Sequence, residues 1–159
     1  MKFEPDQIIP KLIEVRKNLL EAASSLSPED LDRIFLGVWS VKDLLAHLVG
    51  WDYTNLKSVQ EIRSGQHPSV YSHYDHDWQT YNAGLVEQYK REDIGEMHAL
   101  VQQSHRELIN FLESLPIAEF DRDRGLRSRW NRVTIAWCLR FEIYDEIRHS
   151  EQIKKFADK

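Results

Sequence analysis

Apolar residues in this chain return at spacings of three and four over long runs that glycine and proline seldom interrupt, with only 6 and 5 of them in 159 residues. That period marks helices with one buried stripe, so the expected fold class is all-α. Four long helices are expected. The first runs from near Pro5 to about Ser25, with Ile9, Leu12, Ile13, Leu19, Leu20 and Ala23 on its apolar face. A connection with a short helical turn starts at Leu26-Ser27-Pro28. Ser40 with Asp43 reads as a capping box opening a second helix to about Ile62, in which Gly50 permits close approach of a neighbour. From Arg63 to about Asn82 the period vanishes, and a long loop is expected there. The third helix covers Ile94 to Leu115 along Met97, Val101, Leu108 and Leu112, with Ala83 to Tyr89 as an upstream prolongation. The fourth runs from Thr134 to Phe156, and no segment carries a strand signal. The result is an up-and-down or crossover four-helix bundle occupying residues 1–159 as one domain.

The fourth helix carries chemistry on its buried stripe. Ile135, Cys138, Leu139, Glu142, Asp145, Glu146, His149, Ile153 and Phe156 share one face, apolar at both ends and acidic in the middle. Carboxylates and an imidazole drawn toward a bundle interior need partners, because unpaired buried charge costs several kcal/mol. His47 borders the apolar stripe of the second helix and is the natural third member. Two histidines and a carboxylate on facing helices can hold a divalent metal and leave positions open for water or substrate. The competing reading makes Asp145 and His149 an intrahelical i, i+4 pair and His47 a satisfied histidine at the core edge.

Composition narrows the function classes. A net charge of −5 and a pI near 5.8 argue against nonspecific nucleic-acid binding. No apolar stretch is long enough to span a membrane, and the start Met1-Lys2-Phe3-Glu4-Pro5-Asp6 lacks a signal peptide's apolar run, so a soluble cytoplasmic protein is expected. The single cysteine, Cys138, sits in the apolar stripe and reads as a buried thiol. The widely spaced glycines build no phosphate loop, and no serine lies in a nucleophile elbow.

The segment Trp39-Ser40-Val41-Lys42-Asp43-Leu44-Leu45-Ala46-His47-Leu48-Val49-Gly50-Trp51 resembles the DinB-like superfamily of metalloenzymes, also called DinB/YfiT-like. The resemblance returns at Glu142-Ile143-Tyr144-Asp145-Glu146-Ile147-Arg148-His149-Ser150-Glu151-Gln152-Ile153, similar to that family's last-helix motif of H-x-x-x-H followed by a residue pair and Gln-Ile. It implies a DinB-like four-helix bundle, commonly a homodimer, with three ligands to one divalent metal ion (Zn, Ni, Mn or Fe). Carried over, the ligands are His47, His149 and Asp145, the last standing where histidine is commoner. The implied activity is a metal-dependent hydrolase or a transferase using a low-molecular-weight thiol, on a small-molecule substrate. Glu146 is the candidate catalytic base, while Glu142 and Glu146 also read as carboxylates that orient a ligand imidazole or replace Asp145, or as solvated or ion-paired side chains. The alternative is a metal-free, vestigial member acting as a stress-related small-ligand binding protein.

Other features admit two readings each. Trp51, four residues after His47, is a wall of the metal cavity or a core tryptophan. His98 and His105 read as core-edge histidines. The segment 67–78 is a lid contributing Tyr71, Tyr74 and Trp78, or an ordinary surface loop. Arg122, Arg124, Arg127, Arg129 and Arg132 bind an anionic ligand or form local surface pairs. Trp137, Phe141 and Tyr144 form a second apolar flank on the fourth helix, a candidate dimer surface.

Overall fold

The computed structural model describes residues 3–73 and 76–159. A 3-10 turn at Pro5–Gln7 leads into α1 (Ile8–Ser24), followed by the short α2 (Pro28–Asp32). A small hairpin of β1 (Ile34–Leu36) and β2 (Trp39–Ser40) precedes α3 (Val41–Arg63). A 3-10 turn at Ser69–His73 and α4 (Trp78–Tyr89) come before α5 (Ile94–Glu113), and a second hairpin, β3 (Arg127–Ser128) with β4 (Asn131–Arg132), precedes α6 (Ile135–Ala157).

Local chemistry accounts for the helix starts. Ser40 and Asp43 form the expected capping box of α3, with Asp43 N–H donating to Ser40 Oγ at 3.3 Å and Ser40 N–H donating to Asp43 Oδ2 at 2.8 Å. Asp93 caps α5 by accepting from the Glu96 N–H at 2.8 Å, and Thr134 caps α6 by accepting from the Trp137 N–H at 3.1 Å.

Two corrections concern the connections. The expected loop 63–82 contains the start of α4, which is a helix of its own, because Lys90 turns extended at ψ 137° and separates it from α5. Among the described side chains of α4 only Leu85 is buried, so the helix carries almost no periodic signal. The two hairpins are the other departure. The first turns through Gly37, whose φ of +61° lies in the left-handed region that glycine occupies without steric cost.

The core has two apolar layers. Leu12, Val15, Ile62, Leu108, Leu112, Phe120, Ile135 and Leu139 belong to one, and Leu19, Leu44, Leu45, Leu48, Met97, Val101 and Ile153 to the other. Along the chain α1 and α6 pass from the first layer to the second, while α3 and α5 pass from the second to the first. The pairs α1/α6 and α3/α5 therefore run in opposite directions. The bundle is of the crossover type, with α4 inside the long connection between the parallel α3 and α5.

Between the two layers each long helix contributes a polar residue: Arg16 from α1, Asp52 from α3, Ser104 from α5 and Glu146 from α6, all buried. Arg16 holds Asp52 through two bonds of 2.9 Å and Glu146 through bonds of 3.0 and 2.7 Å. Ser104 Oγ donates to Asp52 Oδ2 at 2.6 Å. This layer rotates α1 relative to the sequence expectation. Ile8, Leu12, Val15 and Leu19 face inward with Arg16, and Ile13 is left exposed.

Gly50 lies where α3 meets α4. A methyl group there would stand 2.6 Å from Leu85 Cβ and 2.8 Å from its Cδ1, closer than packed carbons approach. Gly50→Ala is expected to lower stability by about 1–3 kcal/mol, the usual cost of overpacking. A fall in the urea midpoint measures it.

Candidate metal centre

His47 lies near the start of α3, and Asp145 and His149 lie one turn apart on α6. One potential ligand atom from each of the three lies within 4.8 Å of the other two. His149 Nε2 is 3.1 Å from Asp145 Oδ2, and His47 Nε2 is 3.5 Å from the same oxygen. Donors about 2.0–2.1 Å from a tetrahedral ion stand about 3.4 Å apart, so these separations suit a shared cation. Both histidines are buried, and Asp145 is partly so.

The hydrogen bonding fits a cation as well. Both ring nitrogens of His47 are buried without a hydrogen-bond partner. Such orphaned groups are rare in a packed interior. His149 faces an acceptor at each nitrogen, Gln152 Oε1 at 2.7 Å from Nδ1 and Asp145 Oδ2 at 3.1 Å from Nε2. A neutral imidazole has one N–H for two acceptors, and a cation between Nε2 and Oδ2 would satisfy the second. Asp145 Oδ1 accepts from Arg148, leaving Oδ2 turned toward the histidines.

The protonation states favour the ligand forms. Burial lowers the pKa of His47, and the facing Asp145 only partly offsets this, so the ring is held neutral. Burial pushes Asp145 up, yet the His149 and His47 imidazoles more than reverse it and hold the carboxyl well below its ordinary value. A neutral imidazole and an ionised carboxylate are what a divalent ion binds.

The cluster opens into a cavity of about 500 Å³. The first hairpin brings Trp39 to 4.9 Å from the His47 ring, centroid to centroid, and Trp51 stands 6.2 Å from it on the other side. Trp51 is edge-on to Trp78 at 5.2 Å and donates its Nε1–H to Asn82 Oδ1 at 3.0 Å. Trp51 is thus a cavity wall. From the segment 67–78, Val70 and Trp78 reach the cavity, Tyr71 packs edge-on against Trp137, and Tyr74 lies outside the described residues. Phe141 of the apolar flank also lines the cavity, and Tyr144 packs on Phe3 at 5.7 Å.

Glu146 is not brought to this site. It is fully buried, with both oxygens taken by Arg16, and it is not part of the cavity lining. Glu142 does line the cavity, where its Oε2 accepts from Asn55 Nδ2 at 2.9 Å. Burial pushes the Cys138 thiol up to about 12, so this buried cysteine is inert as a nucleophile. His105 lies 3.8 Å from Asp52, away from the cluster, and His98 is half-buried on the same helix. Arg122 and Arg124 pair with Glu119, and Arg127 and Arg132 with Asp123, the local surface pairing foreseen as one reading.

Gln152 had no assigned role in the sequence reading, although it forms part of the quoted motif. Its amide oxygen fixes the His149 ring so that Nε2 faces Asp145. Gln152→Leu is expected to lower metal affinity about 10–100-fold, as loss of an orienting outer partner does. Competition against a chromogenic chelator reads the change.

Three solved structures share the fold at sequence identities that speak to the fold alone. A protein from Streptococcus pneumoniae superposes with a TM-score of 0.78 at 12% identity, covering 99% of this chain and 92% of its own. An uncharacterised protein from Escherichia coli UTI89 gives 0.72 at 16%, covering 98% and 93%. The colibactin self-resistance protein ClbS, solved in complex with double-stranded DNA, gives 0.74 at 17%, covering 98% and 96%. That last complex corrects the exclusion of nucleic acid drawn from net charge, because a protein of this fold has been solved with DNA. Net charge is a sum over the surface, whereas phosphate contact depends on the local field. No described helix is long and apolar enough to cross a membrane. No functionally curated protein matches the sequence. A profile of the DinB superfamily matches residues 11–153, and with that match the chain belongs to the DinB superfamily.

Proposed function

We propose that the protein is a metal-dependent enzyme acting on a small molecule, with His47, Asp145 and His149 holding one divalent ion of the Zn, Ni, Mn or Fe class. The observation that carries this reading is the pair of orphaned His47 nitrogens beside Asp145 and His149 at a cavity of about 500 Å³. A bound ion of this kind supplies Lewis-acid chemistry, lowering the pKa of a coordinated water or thiol. The reaction type is hydrolysis or transfer from a low-molecular-weight thiol.

The chain's own residues set up that chemistry. Gln152 and Arg148 orient His149 and Asp145. Trp39, Trp51 and Trp78 shield the centre from bulk water and offer flat apolar surface to a substrate. Glu146 is assigned to holding Arg16 rather than to proton transfer, on the ground that both its oxygens accept from that guanidinium.

A second reading, a metal-free small-ligand binding protein, draws on Asp145, whose two oxygens already meet Arg148 and His149. Metal analysis of untagged protein, followed by turnover assays pairing thiols with electrophilic substrates, separates the two. Bound metal with turnover lost in Asp145→Ala supports the enzyme, and ligand binding unaffected by chelation supports the binding protein.

A further inference from the structure

The polar layer around Arg16 contains one carboxyl more than it can pair. Arg16 carries a single positive charge and is engaged with Asp52 and Glu146 through four hydrogen bonds of 2.7 to 3.0 Å. Glu142, one turn earlier on α6 and 6% exposed, has its Oε1 4.0 Å from Arg16 Nη2, beyond hydrogen-bonding distance. Among the described residues its close polar partner is the Asn55 amide, which donates to Oε2 at 2.9 Å. The groups around it are Arg16 of α1, Asp52 and Asn55 of α3, and Cys138, Asp145 and Glu146 of α6. The only cation of this set is already committed to two carboxylates. A third ionised carboxyl in so dry a place has no counter-charge, and buried groups in that position take up a proton instead. The same balance appears as a direction: burial, then the Glu146 and Asp52 charges, hold the Glu142 carboxyl well above its ordinary value, with Arg16 opposing only in part.

We propose that Glu142 is an uncharged carboxylic acid in the cavity wall, serving as a hydrogen-bond donor that selects small ligands with a neutral acceptor, such as a ketone or amide carbonyl, on an apolar body. Asn55 donates to Oε2, which acts as the carbonyl oxygen, so Oε1 carries the proton. The apolar body is met by Trp39, Trp51 and Trp78. The ligand class rests on the reading of this cavity as a small-molecule site. The protonation state does not, because it follows from the charges around Arg16.

Three measurements test the proposal. Infrared spectra in D2O at pH 7 should show the carbonyl stretch of a protonated carboxyl that shifts on ¹³C-glutamate labelling and disappears in Glu142→Gln. A carboxyl with a raised folded pKa adds stability that is full below its unfolded pKa and lost as pH rises through the folded value. Glu142→Gln should therefore match the wild type in thermal midpoint at acid pH, below the ordinary carboxyl range, and lose less stability than it as pH rises. Absence of a glutamate-derived band in the wild type overturns the protonation state, whether or not the variant folds. For the ligand class, calorimetric titration with acetophenone and with ethylbenzene should show acetophenone weakened about five-fold in Glu142→Leu and ethylbenzene unweakened, the worth of one hydrogen bond. Equal effects on both probes, or no acetophenone binding to the wild type, overturn the ligand assignment. Metal content, measured on the same samples, fails or holds independently of the infrared result.

Discussion

Replacing His149 with alanine is expected to lower affinity for a divalent ion by more than about 100-fold, beyond the range seen when only an orienting outer partner is lost. His149 offers Nε2 to the shared centre and is the residue that Gln152 positions, so the variant removes a donor and strands its support. Isothermal titration with Zn²⁺ and competition against a chelator measure the loss. His47→Ala is expected to do the same from the facing helix, because its two ring nitrogens have no hydrogen bond to keep them in place. Both effects should appear without a large change in thermal midpoint in the metal-free proteins, since neither ring holds helices together through hydrogen bonds.

The reverse pattern is expected at Arg16. Arg16→Ala leaves Asp52 and Glu146 buried without their cation, and breaking a buried pair in this way costs about 3–5 kcal/mol. For a chain of this size that is a fall in thermal midpoint of about 10 °C. The pH dependence carries the same signature. Burial raises the Asp52 pKa, but Arg16 and His105 together more than reverse this and leave it below its ordinary value. The contribution of Asp52 is then full above its unfolded pKa and lost as pH falls through the folded one. Arg16→Ala should flatten that acid limb in a series of thermal melts. Replacing Arg16 and both carboxylates together with apolar residues is expected to recover much of the loss, because the penalty belongs to the unpaired charges.

What was legible in the sequence was what is encoded locally. The Ser40–Asp43 capping box and the courses of α1, α3, α5 and α6 each depend on residues a few positions apart. Asp145 and His149 were visible for the same reason, and His47 through its place beside the apolar stripe of its own helix, with the family motif pointing to the same residue. What escaped depends on partners far along the chain. Arg16 reads as an ordinary helix-surface arginine until Asp52, 36 positions on, and Glu146, 130 positions on, are folded against it. Its pull explains both the rotated face of α1 and the placement of Glu146 away from the cavity lining. The hairpin at residues 34–40 was invisible because its short strands are defined by pairing rather than by an alternating run. Through it Trp39 reaches His47, a contact that no spacing rule within one helix predicts.

These two clusters divide the work of α6. Glu146 ties the helix to α1 and α3, while Asp145 and His149, its near neighbours in sequence, face His47 across the cavity. The paired layer beneath gives the cavity-facing cluster the fixed backbone that a preorganised site requires. The central claim is that this cluster holds a metal ion, and equilibrium dialysis of untagged protein against Zn²⁺ tests it most directly. One ion per chain in the wild type, lost in both His47→Ala and Asp145→Ala, is the predicted result; binding that neither substitution alters would contradict it.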